Sequence, residues 1–339
     1  MRSNQITIKD IARILGVSPS TVSRALKDHP DINTDTKKAV NDLAKKLKYQ
    51  PNAVALSLKN SRSNTIGVII PEIVHYFFSS VISGIEDVAS KKGFTVIICQ
   101  SNESFDREVA NANTLLSHRV DGILVSISKE THEFDHLVNL QESGIPLVFF
   151  DRITPEINAD QVIINDLEAS YKATRHMIET GRKRIAHFAG PQSLIIGRDR
   201  LQGYLNALNE AGIPIDPRLI IEADTFERAR VAVIEMFDAN IIPDGVFAVN
   251  DLTAIGAMQT IQKKGYKIPD DIAIVGFSDG RFSGITDPNL SSVDQHGYEM
   301  GTTAAEILFH RILSNEEEYI PEVKVLTADL IVRGSSVKE

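Results

Sequence analysis

Residues 8–26 read IKDIARILGVSPSTVSRAL, from Ile8 to Leu26. Ile8, Ile11, Ala12 and Leu15 fall on one face at helical spacing. Thr7 and Asp10 sit where a capping box needs them, each side chain reaching the other's backbone N–H. Gly16 stops that helix. Ser18-Pro19 starts the next, with Ser18 as N-cap and Pro19 in the first turn. Val22, Ala25 and Leu26 supply its buried face. A third helix is expected from near Asn33, turning Val40, Leu43, Ala44 and Leu47 inward. A small residue at Ala12 lets two helices approach, Gly16 permits the tight turn, and the β-branched Val22 fills the crossing. This spacing predicts a helix-turn-helix whose second helix enters a DNA major groove.

Charge supports that reading. Residues 1–60 carry 11 Lys+Arg against 5 Asp+Glu, while the remaining residues carry 25 against 40. A basic head on an acidic body implies that the head alone meets a polyanion. The outward positions of the second helix are Pro19, Ser20, Thr21, Ser23, Arg24 and Lys27. Arg24 is the expected base reader, because its planar fork matches guanine O6 and N7. Pro19 and Ser20 come first on the helix and are expected near bases. Ser18, Thr21 and Ser23 suit phosphate oxygens, and Thr36 and Tyr49 suit further backbone contacts. The expected partner is double-stranded DNA.

From Thr65 onward, apolar runs alternate with amphipathic segments. TIGVII, TVIIC, GILVSI and PLVFF form one series; QVIIN, RIAHFAG, LIIEA, GVFAV and IAIVGF form a second. Continuous apolar strands with helices between them imply parallel sheets covered on both faces, here in two similar lobes. Neither a G-x-G-x-x-G nor a P-loop follows the first strand, so no nucleotide cofactor is expected. Ligands of such sheets bind beyond the carboxyl ends of strands. The polar residues there are Asp151, Asn165, Asp166, Asn250, Asp251, Ser278 and Asp279. Arg198 and Arg200 stand at a helix start, and Phe77 and Phe78 open the helix after the first strand. Carboxylates, amides and an arginine beside aromatic faces suit a neutral polyhydroxylated molecule such as a sugar. The same Asp and Asn residues could instead cap the following helices.

At this point the chain closely resembles the lac repressor (LacI/GalR) family of bacterial transcription regulators. The resemblance rests on IKDIARILGVSPSTVSRAL, YQPNAVALSL, TIGVIIP with HYFF, FFDR, RDRLQGY, AVNDLTAIGAMQ, IAIVGFSD and LSSVDQ. It implies an all-α helix-turn-helix head over residues 1–50, a hinge helix and linker over 51–63, and a core over 64–339 like the periplasmic sugar-binding proteins. One lobe is expected at about 64–163 and 295–322, the other at about 164–294 and 323–336. The DNA-contact set implied is Thr7, Ser18, Pro19, Ser20, Thr21, Ser23, Arg24, Thr36 and Tyr49, with Ala55, Leu58 and Lys59 of the hinge. Leu58 is placed to wedge into the minor groove. Effector contacts map to Phe77, Asp151, Arg200, Asn250, Ser278, Asp279 and Gln295. Ser278 stands where the family often has an acidic residue, and His75-Tyr76 stands where Asn-Pro is usual. A homodimer on a near-palindromic operator, with a sugar or sugar derivative as effector, is the implied assembly. Alternatives within the family are a catabolite-control regulator answering to a phosphorylated carrier protein, and a purine-type regulator needing a co-repressor.

Other functions are disfavoured. HEFDH, His132 to His136, matches the zinc-protease pattern H-E-x-x-H. It lies in a polar stretch beside Lys129 and Glu130 and lacks a convincing third ligand, so neither metal nor catalysis is expected. Cys99 is expected to be a buried strand residue. The absence of an 18-residue apolar run and of a signal sequence makes the cytosol the expected compartment.

Overall fold

The computed structural model describes residues 6–49, 62–314 and 319–337. The chain divides into two compact units, Met1–Asn64 and Thr65–Glu339. The expected hinge positions Ala55, Leu56, Leu58 and Lys59 lie outside the described residues.

The first unit has three helices: α1 (Ile8–Leu15), α2 (Pro19–Leu26) and α3 (Thr34–Lys46). Their ends follow the sequence signals. Thr7 N donates to Asp10 Oδ2 at 3.0 Å, and Asp10 N returns a bond to Thr7 Oγ1 at 3.3 Å. Gly16 takes φ 66°, a left-handed turn in which glycine meets no Cβ penalty. Thr21 N donates to Ser18 Oγ at 3.0 Å, and Thr36 N to Asn33 Oδ1 at 2.7 Å. Ile11, Ala12, Val22, Ala25, Val40 and Ala44 are the buried core, with Ile8, Leu15, Leu26, Leu43, Leu47 and Tyr49 packed around them.

The second unit holds two six-stranded sheets. The strands of the first are β1 (Thr65–Ile70), β2 (Thr95–Gln100), β3 (Gly122–Val125), β4 (Leu147–Phe150), β5 (Asp160–Ile164) and β11 (Val323–Leu326). They run in the order β11-β5-β4-β3-β1-β2, and all pairs are parallel. The second sheet holds β6 (Ile185–Ala189), β7 (Ile220–Glu222), β8 (Gly245–Ala248), β9 (Ala273–Phe277), β10 (Ser291–Asp294) and β12 (Asp329–Ile331). Its order is β12-β10-β9-β8-β6-β7, with β12 antiparallel to β10.

Eight helices cover these sheets among the described residues: α4 (Tyr76–Lys91), α5 (Phe105–Ser117), α6 (Asp135–Glu142), α7 (Asp166–Glu179), α8 (Ile195–Glu210), α9 (Phe226–Asp238), α10 (Asp251–Lys263) and α11 (Gly297–Leu313). α4 packs on α11, α7 on α8 and α9 on α10. The α4–α11 crossing is closest at Gly301, where an added Cβ would meet Val81 O at 2.0 Å.

The expected lobe boundaries fail at one strand, and the grouping of the apolar runs into two series fails at another. QVII, grouped by sequence with the second series, is β5 and pairs with β4 in the first sheet. Val323–Leu326, assigned to the second lobe, is β11 and pairs with β5. The chain therefore crosses between lobes at Asn165, at Gln295–His296 and at Thr327–Ala328. VKVL and DLI are both short edge strands two residues apart, so apolar pattern alone does not say which sheet takes each. Cys99 lies on the edge strand β2 and is half-buried rather than buried, because that strand has no outer neighbour.

Candidate functional site

Segments beyond the carboxyl ends of strands from both sheets line one cleft. Glu72 and His75 follow β1, Glu103 follows β2, Lys129 follows β3, and Asp151 and Arg152 follow β4. From the other lobe come Gly190 and Pro191 after β6, Asp224 after β7, Val249 and Asn250 after β8, and Ser278 after β9. Phe77 and Phe78 of α4 and Leu194, Ile196 and Arg200 at the start of α8 add walls, and Gln295 lies on a crossover. About 120 Å³ of the cleft can hold the centre of a water molecule. That suits a small molecule rather than a macromolecule.

A hydrogen-bonded chain spans the cleft floor. Ser278 Oγ donates to Gln295 Oε1 at 2.9 Å, and Gln295 Nε2 reaches Asp151 Oδ1 at 3.4 Å. Asp151 is buried with φ 59°, and burial pushes its carboxyl above the usual range against the pull of Arg152 and Arg200. Two buried or half-buried arginines flank it. Arg200 Nε donates to Asp166 Oδ1 at 2.7 Å and Nη1 to Val249 O at 2.8 Å, with the guanidinium 3.7 Å from the Phe277 ring centroid. Arg152 Nη1 donates to both Glu103 oxygens, at 2.9 and 2.8 Å. On the aromatic wall, the Phe77 and Phe78 rings meet edge to face at 5.2 Å.

Six of the seven residues mapped as effector contacts therefore line this cleft: Phe77, Asp151, Arg200, Asn250, Ser278 and Gln295. Asp279 does not. Its carboxylate turns away to Arg333, with Oδ2 accepting from Nη2 at 3.0 Å, and it borders a neighbouring depression instead. The reading of strand-end polar residues as helix caps holds for Asn165 and Asn250. They accept from Glu168 N at 3.0 Å and from Thr253 N at 2.9 Å. Asn250 does both jobs, since it also faces the cleft. Asp166 serves Arg200. Asp251 is buried and accepts from Gly280 N at 2.7 Å and Ser283 Oγ at 2.9 Å, tethering the loop that follows Ser278. Arg198 turns back onto the carbonyls of Gln192 and Ser193. Glu103, Lys129, Arg152 and Asp224 were missed, although each follows a strand; the strand-end rule finds them when applied to every strand.

HEFDH does not form a helical pair of histidines. The helix starts at Asp135, leaving His132 before it, exposed and tilted against Phe105 with ring centroids 4.9 Å apart. His136 is buried and its Nε2 lies 3.0 Å from Glu108 Oε1.

In the head, Pro19, Ser20, Arg24 and Lys27 are exposed along α2, Thr21 and Ser23 are half-buried, and Thr7 and Ser18 are exposed beside its start. Thr36 and Tyr49 are half-buried. Among the described residues, the Arg24 side chain has only a loose contact, 3.9 Å from Asp31 at the surface. Its guanidinium is thus available to a partner.

A helix-turn-helix head joined to a two-lobed α/β core with a small-molecule cleft defines a ligand-responsive DNA-binding regulator. Residues 7–52 match the bacterial regulatory proteins of the lacI family, and residues 63–333 match the periplasmic binding proteins and sugar-binding domain of that family. The chain belongs to the lacI family of transcriptional regulators. It is 35% identical to the HTH-type transcriptional repressor PurR of Vibrio atlanticus (strain LGP32), over 92% of this chain and 93% of that one. It is 33% identical to catabolite control protein A of Priestia megaterium, over 89% and 91% of the two chains. Among solved structures, a transcriptional regulator CelR–cellobiose complex superposes with a TM-score of 0.73 at 31% identity, covering 97% of this chain and 99% of that one. No helix among the described residues is long and apolar enough to cross a membrane.

Proposed function

We propose that this regulator represses carbohydrate-utilisation genes as a dimer on a near-palindromic operator, answering to an uncharged sugar held between its lobes. One observation carries the sugar reading. All three Lys and Arg side chains that line the cleft are already paired: Lys129 with Asp224, Arg152 with Glu103 and Arg200 with Asp166. Among the described residues, an anionic ligand finds no unpaired Lys or Arg there. Asp151, Asn250, Ser278 and Gln295 keep hydrogen-bonding capacity for hydroxyls, while Phe77 and Phe78 offer apolar cover to a sugar's C–H face. The cellobiose of the CelR complex is a ligand of this uncharged kind.

On the DNA side, Arg24 reads a guanine, Pro19 and Ser20 meet bases near the start of α2, and Thr7, Ser18, Thr21, Ser23, Thr36 and Tyr49 hold the backbone. Ala55, Leu58 and Lys59 complete the set through the minor groove. Dimerisation is supported by exposed apolar side chains on both lobes: Ile73, Val74 and Tyr76, and Phe282 and Ile285. The two groups adjoin, since Arg281 lies over the Tyr76 ring at 5.8 Å. The ligand acts by favouring one lobe geometry over another.

The test is a thermal-shift screen of neutral mono- and oligosaccharides, their phosphate esters and purines. A ligand present at about 100 times its Kd adds about 2.7 kcal/mol of stability. The proposal expects hits among neutral sugars and none among the phosphates. Stabilisation by phosphate esters or purines alone would replace the sugar reading with one of the other effector classes.

A further inference from the structure

The mouth of the cleft is bridged by an ion pair between the lobes. Lys129 Nζ, on the loop after β3, lies 3.3 Å from Asp224 Oδ2, on the loop after β7. A second bond runs beside it, from Ser193 Oγ to Lys129 O at 3.2 Å. We infer that Lys129 and Asp224 form an interlobe latch that positions the two lobes about the cleft and sets how readily it opens. The consequence for effector response rests on the sugar-cleft reading above; the latch itself does not.

Both ends of the pair are built into rigid surroundings. Glu103 Oε2 accepts from Lys129 N at 2.9 Å, and Glu103 is itself clamped by Arg152. The same loop is pinned from below by the fully buried Glu108. It accepts from Ser128 N at 2.6 Å, Ser128 Oγ at 2.8 Å and Thr131 Oγ1 at 3.0 Å. The Lys129 backbone is therefore held to its own lobe, while its side chain and the Ser193 hydroxyl cross between the lobes. Asp224 is held by Arg228 Nη1 at 2.9 Å, and its carbonyl accepts from Asn250 Nδ2 at 2.8 Å. Asn250 faces the cleft, so a ligand that recruits its amide pulls on the latch residue directly. The Lys129 side chain is 32% exposed and that of Asp224 11%, which leaves the pair open to screening by salt. A rotation that moves these two loops apart breaks both bonds.

The inference is tested in the full chain without ligand. Spin labels at Glu133→Cys and Glu227→Cys, exposed positions four residues after Lys129 and three after Asp224, report the lobe separation in a Cys99→Ser background. Distances are measured by pulsed electron paramagnetic resonance for the parent, Lys129→Met, Asp224→Asn and the double variant. The latch predicts a longer and broader distance distribution in each single variant, and no further change in the double. A second arm needs no latch mutation: raising salt from 0.05 to about 1 M moves the parent toward the variants and leaves the variants unchanged. Identical distributions in all four proteins at both salts would overturn the latch, as would additive effects in the double. A failed sugar screen would leave these distances untouched, so the two proposals fail separately.

Discussion

Arg200 Nε meets Asp166 Oδ1 at 2.7 Å with both side chains about 5% exposed, 6% and 5% respectively. The pair joins the start of α8 to the start of α7 beneath the cleft. Arg200 also ties down Val249 O and covers Phe277. Burial already raises the Asp166 carboxyl to about 6 against the pull of Arg200, and removing Arg200 leaves that buried group without its partner. Arg200→Ala is therefore expected to destabilise the core by about 3–5 kcal/mol in urea denaturation. A loss below about 1 kcal/mol would mean that the pair is not a structural anchor.

His296 ties two crossovers together. It sits at φ 50°, with Nδ1 3.3 Å from Asp294 and Nε2 2.8 Å from Asp329, just after the third crossing. Burial opposes its charge, but Asp329 and Asp294 outweigh that and raise its pKa above the usual histidine value. A histidine whose folded pKa is raised stabilises the fold fully below its unfolded pKa. That contribution is lost as pH rises through the folded value. The melting temperature of the wild type is expected to fall across that window, above about pH 6.5, relative to His296→Gln. Parallel pH profiles for the two proteins would exclude the clamp.

Caps hold the head. Asn33 accepts from Thr36 N at 2.7 Å and is not a proposed DNA contact. Asn33→Ala is expected to cost about 1 kcal/mol of head stability. Hydrogen exchange of the α3 amides in the full chain reads this as faster exchange, with the core amides unchanged. Equal acceleration in both units would show that the two do not unfold separately.

Much of the head was legible because its signals are local. Thr7, Asp10, Gly16, Ser18 and Asn33 each act on neighbours within a few residues, and the inward residues follow one period. The core was legible as alternating apolar strands and helices, but its long-range pairing was not. Val323–Leu326 and Asp329–Ile331 are both short edge strands, and pairing with β5 or β10 decides the sheet of each. Asp279 failed for a related reason: its partner, Arg333, is 54 residues away. The pairing of the cleft's cations, as distinct from their strand-end positions, was invisible for the same cause, since Lys129 and Asp224 become neighbours only through the fold.

Arg24 is the one long cationic side chain exposed within α2 itself. Arg24→Ala is expected to relax preference at one base pair of each half-site by roughly 1–3 kcal/mol. Selection from randomised duplexes with wild type and variant measures it. Unchanged preference at every position would remove Arg24 as a base reader.

The central claim is that a sugar in the interlobe cleft governs DNA binding by the head. Its most direct measurement is fluorescence anisotropy of a selected duplex, titrated with the sugar that stabilises the protein, for wild type and Asp151→Asn. The account predicts that the sugar shifts the wild-type DNA affinity several-fold. The variant should bind the duplex equally well without sugar and respond to it only at much higher concentration. A sugar response identical in the two proteins would contradict the account, because the ligand would then be acting somewhere other than beside Asp151.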